Sequence, residues 1–96
     1  MIRSFADAAT EDLFNGKDTR AARAFDKRIW SVISRKLDML NAAIAVVDFR
    51  VPPGNRLEAL NGNHDGRFSI RVNEQYRIAF AFAAGNATDV CCQDYH

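Results

Sequence analysis

The sequence predicts an α+β fold, and two observations carry the prediction. Before Pro52-Pro53-Gly54-Asn55 the apolar residues recur at steps of three and four, and after it they alternate at every second position. These are the side-chain periods of a helix and of a strand. Size adds a constraint: 96 residues hold one core, so the two halves must pack against each other. The expected architecture is one domain over residues 1–96. It would be an antiparallel-rich, twisted sheet of about five strands with two N-terminal helices packed on one face.

Taken in order, Ile2 to Phe5 reads as a first strand. Asp7 suits the N-cap of a short helix through Leu13 and Phe14, and Asn15-Gly16 suits its stop. Asp18 or Thr19 is the candidate cap of a longer helix, in which Ala22, Phe25, Ile29, Val32, Ile33, Leu37 and Leu40 form one stripe. Asp26, Lys27, Arg28, Arg35 and Lys36 mostly fall outside that stripe, and Trp30 sits at its edge. After the Pro-Pro-Gly break, Arg56 to Leu60 reads as a strand and residues 61–66 as a turn. Arg67 to Val72 alternates Phe68, Ile70 and Val72 against Arg67, Ser69 and Arg71. Asn73-Glu74-Gln75 is a loop, Tyr76 to Phe82 a further strand, and Ala87 to about Gln93 the last one, after a Gly85-Asn86 turn.

Apolar residues make up 48% of the chain and charged residues 26%, enough apolar surface to offset the entropy lost on folding, which excludes disorder. The longest apolar runs are a few residues, such as Ala42 to Val47, far short of the roughly 20 residues of a membrane span. The first residues lack a basic region followed by an apolar one, so no secretory signal is expected. Cys91 and Cys92 are adjacent, poor geometry for a disulfide, and should point to opposite faces of the last strand. A reduced, cytoplasmic chain follows. The net charge of +1, from 13 Lys and Arg against 12 Asp and Glu, excludes a protein that holds nucleic acid by bulk charge. It permits a local site: residues 50–77 carry Arg50, Arg56, Arg67, Arg71 and Arg77 but no lysine, and arginine grips phosphate in a bidentate fork. Five solvated surface arginines are the plainer alternative. The apolar helix edge around Trp30, Phe49 and Val51 is either a partner contact or core.

Matching the apolar faces of the central hairpin requires a loop of odd length, because a one-residue slip sends every side chain to the wrong side. A three-residue loop sets Ile70 opposite Ile78 and Phe68 opposite Phe80. Arg71 then lies opposite Arg77 on the face away from the helices, and like charges so placed repel. An anion between them would relieve this. With Ser69, Ala79 and Ala81 small, that face is either a concave floor for a phosphate-bearing ligand or ground beneath a packed loop.

Three ordered stretches resemble the HigB (plasmid maintenance killer) branch of the RelE toxin superfamily: Pro52-Pro53-Gly54-Asn55-Arg56-Leu57-Glu58-Ala59-Leu60, Gly66 through Ile78, and the terminal Asp94-Tyr95-His96. The resemblance implies a RelE-like fold and a small bacterial toxin that cleaves mRNA on the ribosome. It also implies a HigA-type helix-turn-helix antitoxin as partner and, through it, operator DNA. The chemistry implied is metal-free and cofactor-free: the ribose 2′-hydroxyl attacks the adjacent phosphate. By the resemblance Glu58 is the general base, Arg77 the phosphate-stabilising cation and His96 the acid. Arg56, Asn61, Arg67, Arg71 and Tyr95 would contact the RNA.

Plainer roles stand beside these. Glu58 would pair with a neighbouring arginine, His96 would fray as a chain end, and His64 would be a solvated loop residue. The cysteines have no companion ligands at zinc spacing. Asn61 replaces the lysine usual in relatives, Tyr76 replaces their tryptophan, and the chain is less basic than they are. These departures imply a weak enzyme, or an inactive homologue acting as corepressor of the antitoxin.

Overall fold

The computed structural model describes residues 1–60 and 66–94. Helix α1 (Ala8–Phe14) begins where Asp7 directs it, the Asp7 carboxylate accepting from Thr10 N–H at 2.7 Å. It stops at Gly16, whose φ of 71° is the left-handed value glycine takes most readily. The expected longer helix is broken. It comprises a 3-10 turn at Ala22–Ala24, a second at Lys27–Ile29, and helix α2 (Trp30–Ala42). Thr19 caps the first turn through its hydroxyl, which accepts from Ala22 N–H at 3.1 Å. The chain then extends at Phe25 (φ −99°, ψ 141°), and Asp26 starts again as a cap, accepting from Arg28 N–H and its guanidinium. That pairing holds the Asp26 carboxyl at about 2. The Phe25 carbonyl freed by the break accepts from the Trp30 indole at 2.9 Å. Helical spacing survives the interruption, so Ala22, Phe25, Ile33, Leu37 and Leu40 are all buried.

Strands β1 (Glu58–Ala59), β2 (Arg67–Arg71), β3 (Tyr76–Ala83) and β4 (Asn86–Asp94) form one antiparallel sheet in chain order. The β2–β3 register is the one expected, with Phe68 opposite Phe80, Ile70 opposite Ile78 and Arg71 opposite Arg77. Four strands stand where about five were expected. Ile2 and Phe5 make only isolated parallel bridges, to Ala87 and Val90. Between those bridges Asp89 adopts a left-handed φ of 52° and gives its N–H to the Ser4 hydroxyl, so no continuous ladder forms. The strand expected over Arg56–Leu60 shrinks to two residues. A 3-10 turn at Pro53–Asn55 ends on Arg56 in the left-handed region (φ 44°, ψ 57°), outside the strand basin.

The helices pack on the sheet face carrying Ile70, Ile78, Phe80, Phe82, Val90 and Cys92. Phe49 belongs to this core and not to a partner contact: it is fully buried, edge-on to Phe80 and Phe82 at 5.2 and 5.3 Å. Val51 is exposed and Trp30 half-buried. Lys36 departs from expectation most. It is buried on the stripe, three residues after Ile33 and four before Leu40. Its ammonium donates to Asn55 Oδ1. The wholly buried Asn55 amide donates in turn to the carbonyls of Phe49 (3.1 Å) and Val51 (3.3 Å). Burial lowers the Lys36 pKa, because desolvation disfavours the charged form. Cys91 and Cys92 are free, lie on opposite faces of β4 and are both buried. Among the described residues no helix is long and apolar enough to cross a membrane.

Two outcomes follow from this packing. Asn55→Ala is expected to cost about 2–4 kcal/mol in urea unfolding, because a buried ammonium loses its acceptor. Adding Lys36→Met should recover part of that loss, since the unpaired charge is then gone; no recovery would show that the ammonium is not what Asn55 serves. Desolvation raises both thiols, Cys92 to about 12. Ellman's reagent at pH 8 should therefore label neither cysteine in the native protein and both in denaturant.

Candidate active site

The site is built from strand register. Glu58 pairs opposite Ser69, and Arg71 opposite Arg77, so period two places all four on the face away from the helices. Ser69 is also the diagonal neighbour of Arg77, within reach of a long side chain. The guanidinium uses that reach. Its Nε donates to the Ser69 hydroxyl at 2.9 Å, and Nη2 donates to the Ser69 carbonyl at 3.2 Å and the Arg56 carbonyl at 2.5 Å. Nη1 stands 3.9 Å from Glu58 Oε1. The left-handed backbone at Arg56 aims that carbonyl inward. Arg77 is only 8% exposed, and these contacts hold its rotamer.

Arg71 takes a different course, its Nε donating to the Asn73 carbonyl at 3.1 Å. The Asn73 side chain closes the hairpin loop, accepting from the N–H groups of Gln75 (2.9 Å) and Tyr76 (2.7 Å), an Asx turn. Arg56, Glu58, Arg71, Asn73, Glu74 and Arg77 together line a groove of about 300 Å³. The repulsion expected between Arg71 and Arg77 is therefore met within the chain, by the carbonyls of Arg56, Ser69 and Asn73, the Ser69 hydroxyl and the Glu58 carboxylate. Of the two readings of the small residues on this face, an open floor or covered ground, the covered one holds for Ser69 and Ala79. Ser69 and Ala79 are 0% and 2% exposed, with the Arg77 side chain bonded to Ser69, and the groove opens toward the hairpin loop instead.

Of the residues singled out from sequence, Glu58, Arg77, Arg71 and Arg56 meet at this groove. Arg67 does not: it begins β2 opposite Ala81 and is half-buried, at the other end of the strand from Arg71. Asn61, His64, Tyr95 and His96 lie outside the described residues. Sequence reasoning treated Ser69 as a spacer and Asn73 and Glu74 as plain loop. The diagonal rule marks Ser69, and an Asn opening a three-residue loop marks Asn73. Nothing marked Glu74.

A family model described as the RelE-like toxin of type II toxin-antitoxin system HigB matches residues 3–96. The chain is similar to Toxin HigB-1 of Vibrio cholerae, 42% identical over 87 residues, which cover 91% of this chain and 90% of that protein. It is also similar to the protein named Endoribonuclease HigB of Proteus vulgaris, 28% identical over 102 residues and covering 100% of both. Among solved structures, the fold resembles that of the YoeB-YefM complex from Staphylococcus aureus. That likeness has a TM-score of 0.60 at 14% identity and covers 100% of this chain and 98% of that one. The YoeB/ParE toxin from Agrobacterium tumefaciens has a TM-score of 0.56 at 14% identity, over 98% and 99% of the two chains.

Arg77→Lys keeps the charge but not the fork, leaving the Ser69 and Arg56 acceptors without their donors. It is expected to lower stability by about 1–3 kcal/mol in denaturant unfolding. Unchanged stability would mean that the fork does not hold the groove together.

Proposed function

This chain belongs to the HigB-like family of RelE-like toxins of type II toxin-antitoxin systems, and from that footing we propose that it is a ribosome-dependent mRNA endoribonuclease acting at the arginine groove. The observation that carries the reading is the meeting of a carboxylate and three guanidiniums, Glu58 with Arg56, Arg71 and Arg77, around one opening. The Glu58 carboxylate takes the proton of a ribose 2′-hydroxyl, whose oxygen attacks the adjacent phosphorus. Negative charge builds on the phosphorane oxygens, and Arg77, already locked in place, holds it without reorganising. Arg71 shares that charge from across the hairpin. His96 returns a proton to the departing 5′-oxygen, so the products are a 2′,3′-cyclic phosphate and a 5′-hydroxyl end. The route is metal-independent, because base and acid are both side chains.

Arg56, Arg67 and Asn61 guide the RNA backbone and Tyr95 stacks on a base. A net charge of +1 attracts free RNA weakly, so the ribosome presents the message. The partner that restrains the toxin is a HigA-type helix-turn-helix antitoxin, which carries the pair to operator DNA.

Primer extension on an mRNA in a cell-free translation reaction, with and without ribosomes, tests this. Wild type should cut only when ribosomes are present, and Glu58→Ala should cut about 10²–10⁴-fold more slowly. Equal cutting by Glu58→Ala removes Glu58 from the chemistry. A folded wild type that never cuts yet binds the antitoxin is a corepressor instead.

A further inference from the structure

Arg56 lines two cavities. Besides the arginine groove it borders a second opening of about 330 Å³, whose walls are Val46, Pro53, Leu57, Ala59 and Phe68, with Arg50 at the rim. The stretch of chain that supplies Val46 and Arg50 to it, residues 44–51, also carries exposed apolar side chains. Of the four large hydrophobic residues exposed among the described residues, Ile44, Val47 and Val51 all fall on this segment, at 81%, 59% and 71% exposure. Clustered exposed apolar residues mark a contact surface. Neither Arg50 nor Arg56 makes an ion pair among the described residues.

We infer that this second groove docks the antitoxin, taking an apolar side chain flanked by carboxylates that pair with Arg50 and Arg56. The inference rests on the toxin reading and adds to it the place where the partner binds. A protein segment suits the site better than RNA does: the walls are mainly aliphatic, and the cations stand at an apolar rim, the pattern of an interface core with charged edges. The position also supplies a way to silence the enzyme. A carboxylate drawn to the Arg56 guanidinium removes it from the RNA path. The occupant also presses on the residue whose carbonyl braces Arg77. Coupling of this kind is reciprocal, so RNA in one groove weakens the antitoxin in the other.

The test pairs antitoxin affinity with mRNA cleavage, using Arg50→Glu, Arg50→Lys and Val46→Ser toxins and the antitoxin encoded beside the toxin gene. Arg50 is exposed, and among the described residues it lines the second groove and not the arginine groove, so its reversal should leave cleavage by free toxin unchanged. Arg50→Glu is expected to weaken antitoxin binding at least about tenfold, with Val46→Ser acting in the same direction and Arg50→Lys recovering most of the loss. Wild-type affinity in Arg50→Glu overturns the docking site, whereas the cleavage arm reports separately on the toxin reading. Loss of cleavage with affinity intact would make the groove an RNA surface and overturn the inference as well. Arg50-dependent binding by a wild type that does not cleave upholds the docking site and ends the enzymatic reading.

Discussion

Two consecutive residues, Asn55 and Arg56, each accept a hydrogen bond from a buried cation, and the two cations come from opposite layers of the molecule. Lys36 reaches Asn55 from α2 on the core side, and Arg77 reaches the Arg56 carbonyl from β3 on the uncovered side. Burying either charge without its acceptor would be strongly unfavourable. The turn at Pro53–Asn55 is therefore clamped between helix and sheet by the solvation needs of both. The clamp also accounts for a non-glycine residue at φ 44°, a conformation costing about 1–2 kcal/mol that persists where its surroundings over-determine it. Asn55 adds bonds to the Phe49 and Val51 carbonyls, so the segment leading into the turn is fixed by the same amide.

That clamp determines the geometry of the candidate site. Glu58 follows Arg56 by two residues and pairs opposite Ser69, the residue that also holds the Arg77 fork. Carboxylate and guanidinium are thus referred to one serine on one strand. The benefit of such rigidity is specific to electrostatic catalysis: dipoles and charges already aimed at a forming phosphorane need no rearrangement when it forms. Arg71 is anchored differently, through the loop carbonyl of Asn73, and its guanidinium stays more accessible than the buried one beside it. One arginine serves as a fixed brace and the other is the more available hand.

Much of this was legible in the sequence, and the gaps have physical reasons. Alternation required an odd loop between β2 and β3, and the three-residue loop Asn73-Glu74-Gln75 then gave the observed register. Parity assigns a face but not a position along the strand. Arg67 was therefore grouped with Arg71 as an RNA contact, although the two sit at opposite ends of β2. The break at Phe25–Asp26 was hidden because the apolar spacing continues across it. The clue that was present, Asp26 as a second N-cap, reads from sequence as one more charged residue. Lys36 was hidden by its chemistry, since a lysine on a stripe is usually solvated and the acceptor that makes burial tolerable lies 19 residues away. The first strand failed because pairing depended on its neighbour: the left-handed Asp89 in β4 interrupts the ladder. Of the candidate residues, those whose neighbours are set by the sheet were recoverable, and Glu74, placed by loop conformation, was not.

The near-neutral charge fits the proposed chemistry once distances are considered. Salt screens charges beyond about 8 Å at physiological ionic strength, so the arginines at the groove act on a phosphate only after it has arrived. Free RNA meets little long-range attraction, and random encounters are infrequent. A message threaded through a ribosome needs no such attraction, because its position is already fixed and only the last few ångströms are left to the toxin. The same short range governs restraint. An antitoxin that pairs with Arg50 and Arg56 acts within contact distance, and it needs only to unseat the one cation shared by both grooves. The chemistry and its inhibition then converge on Arg56, the residue whose backbone is already committed to holding Arg77.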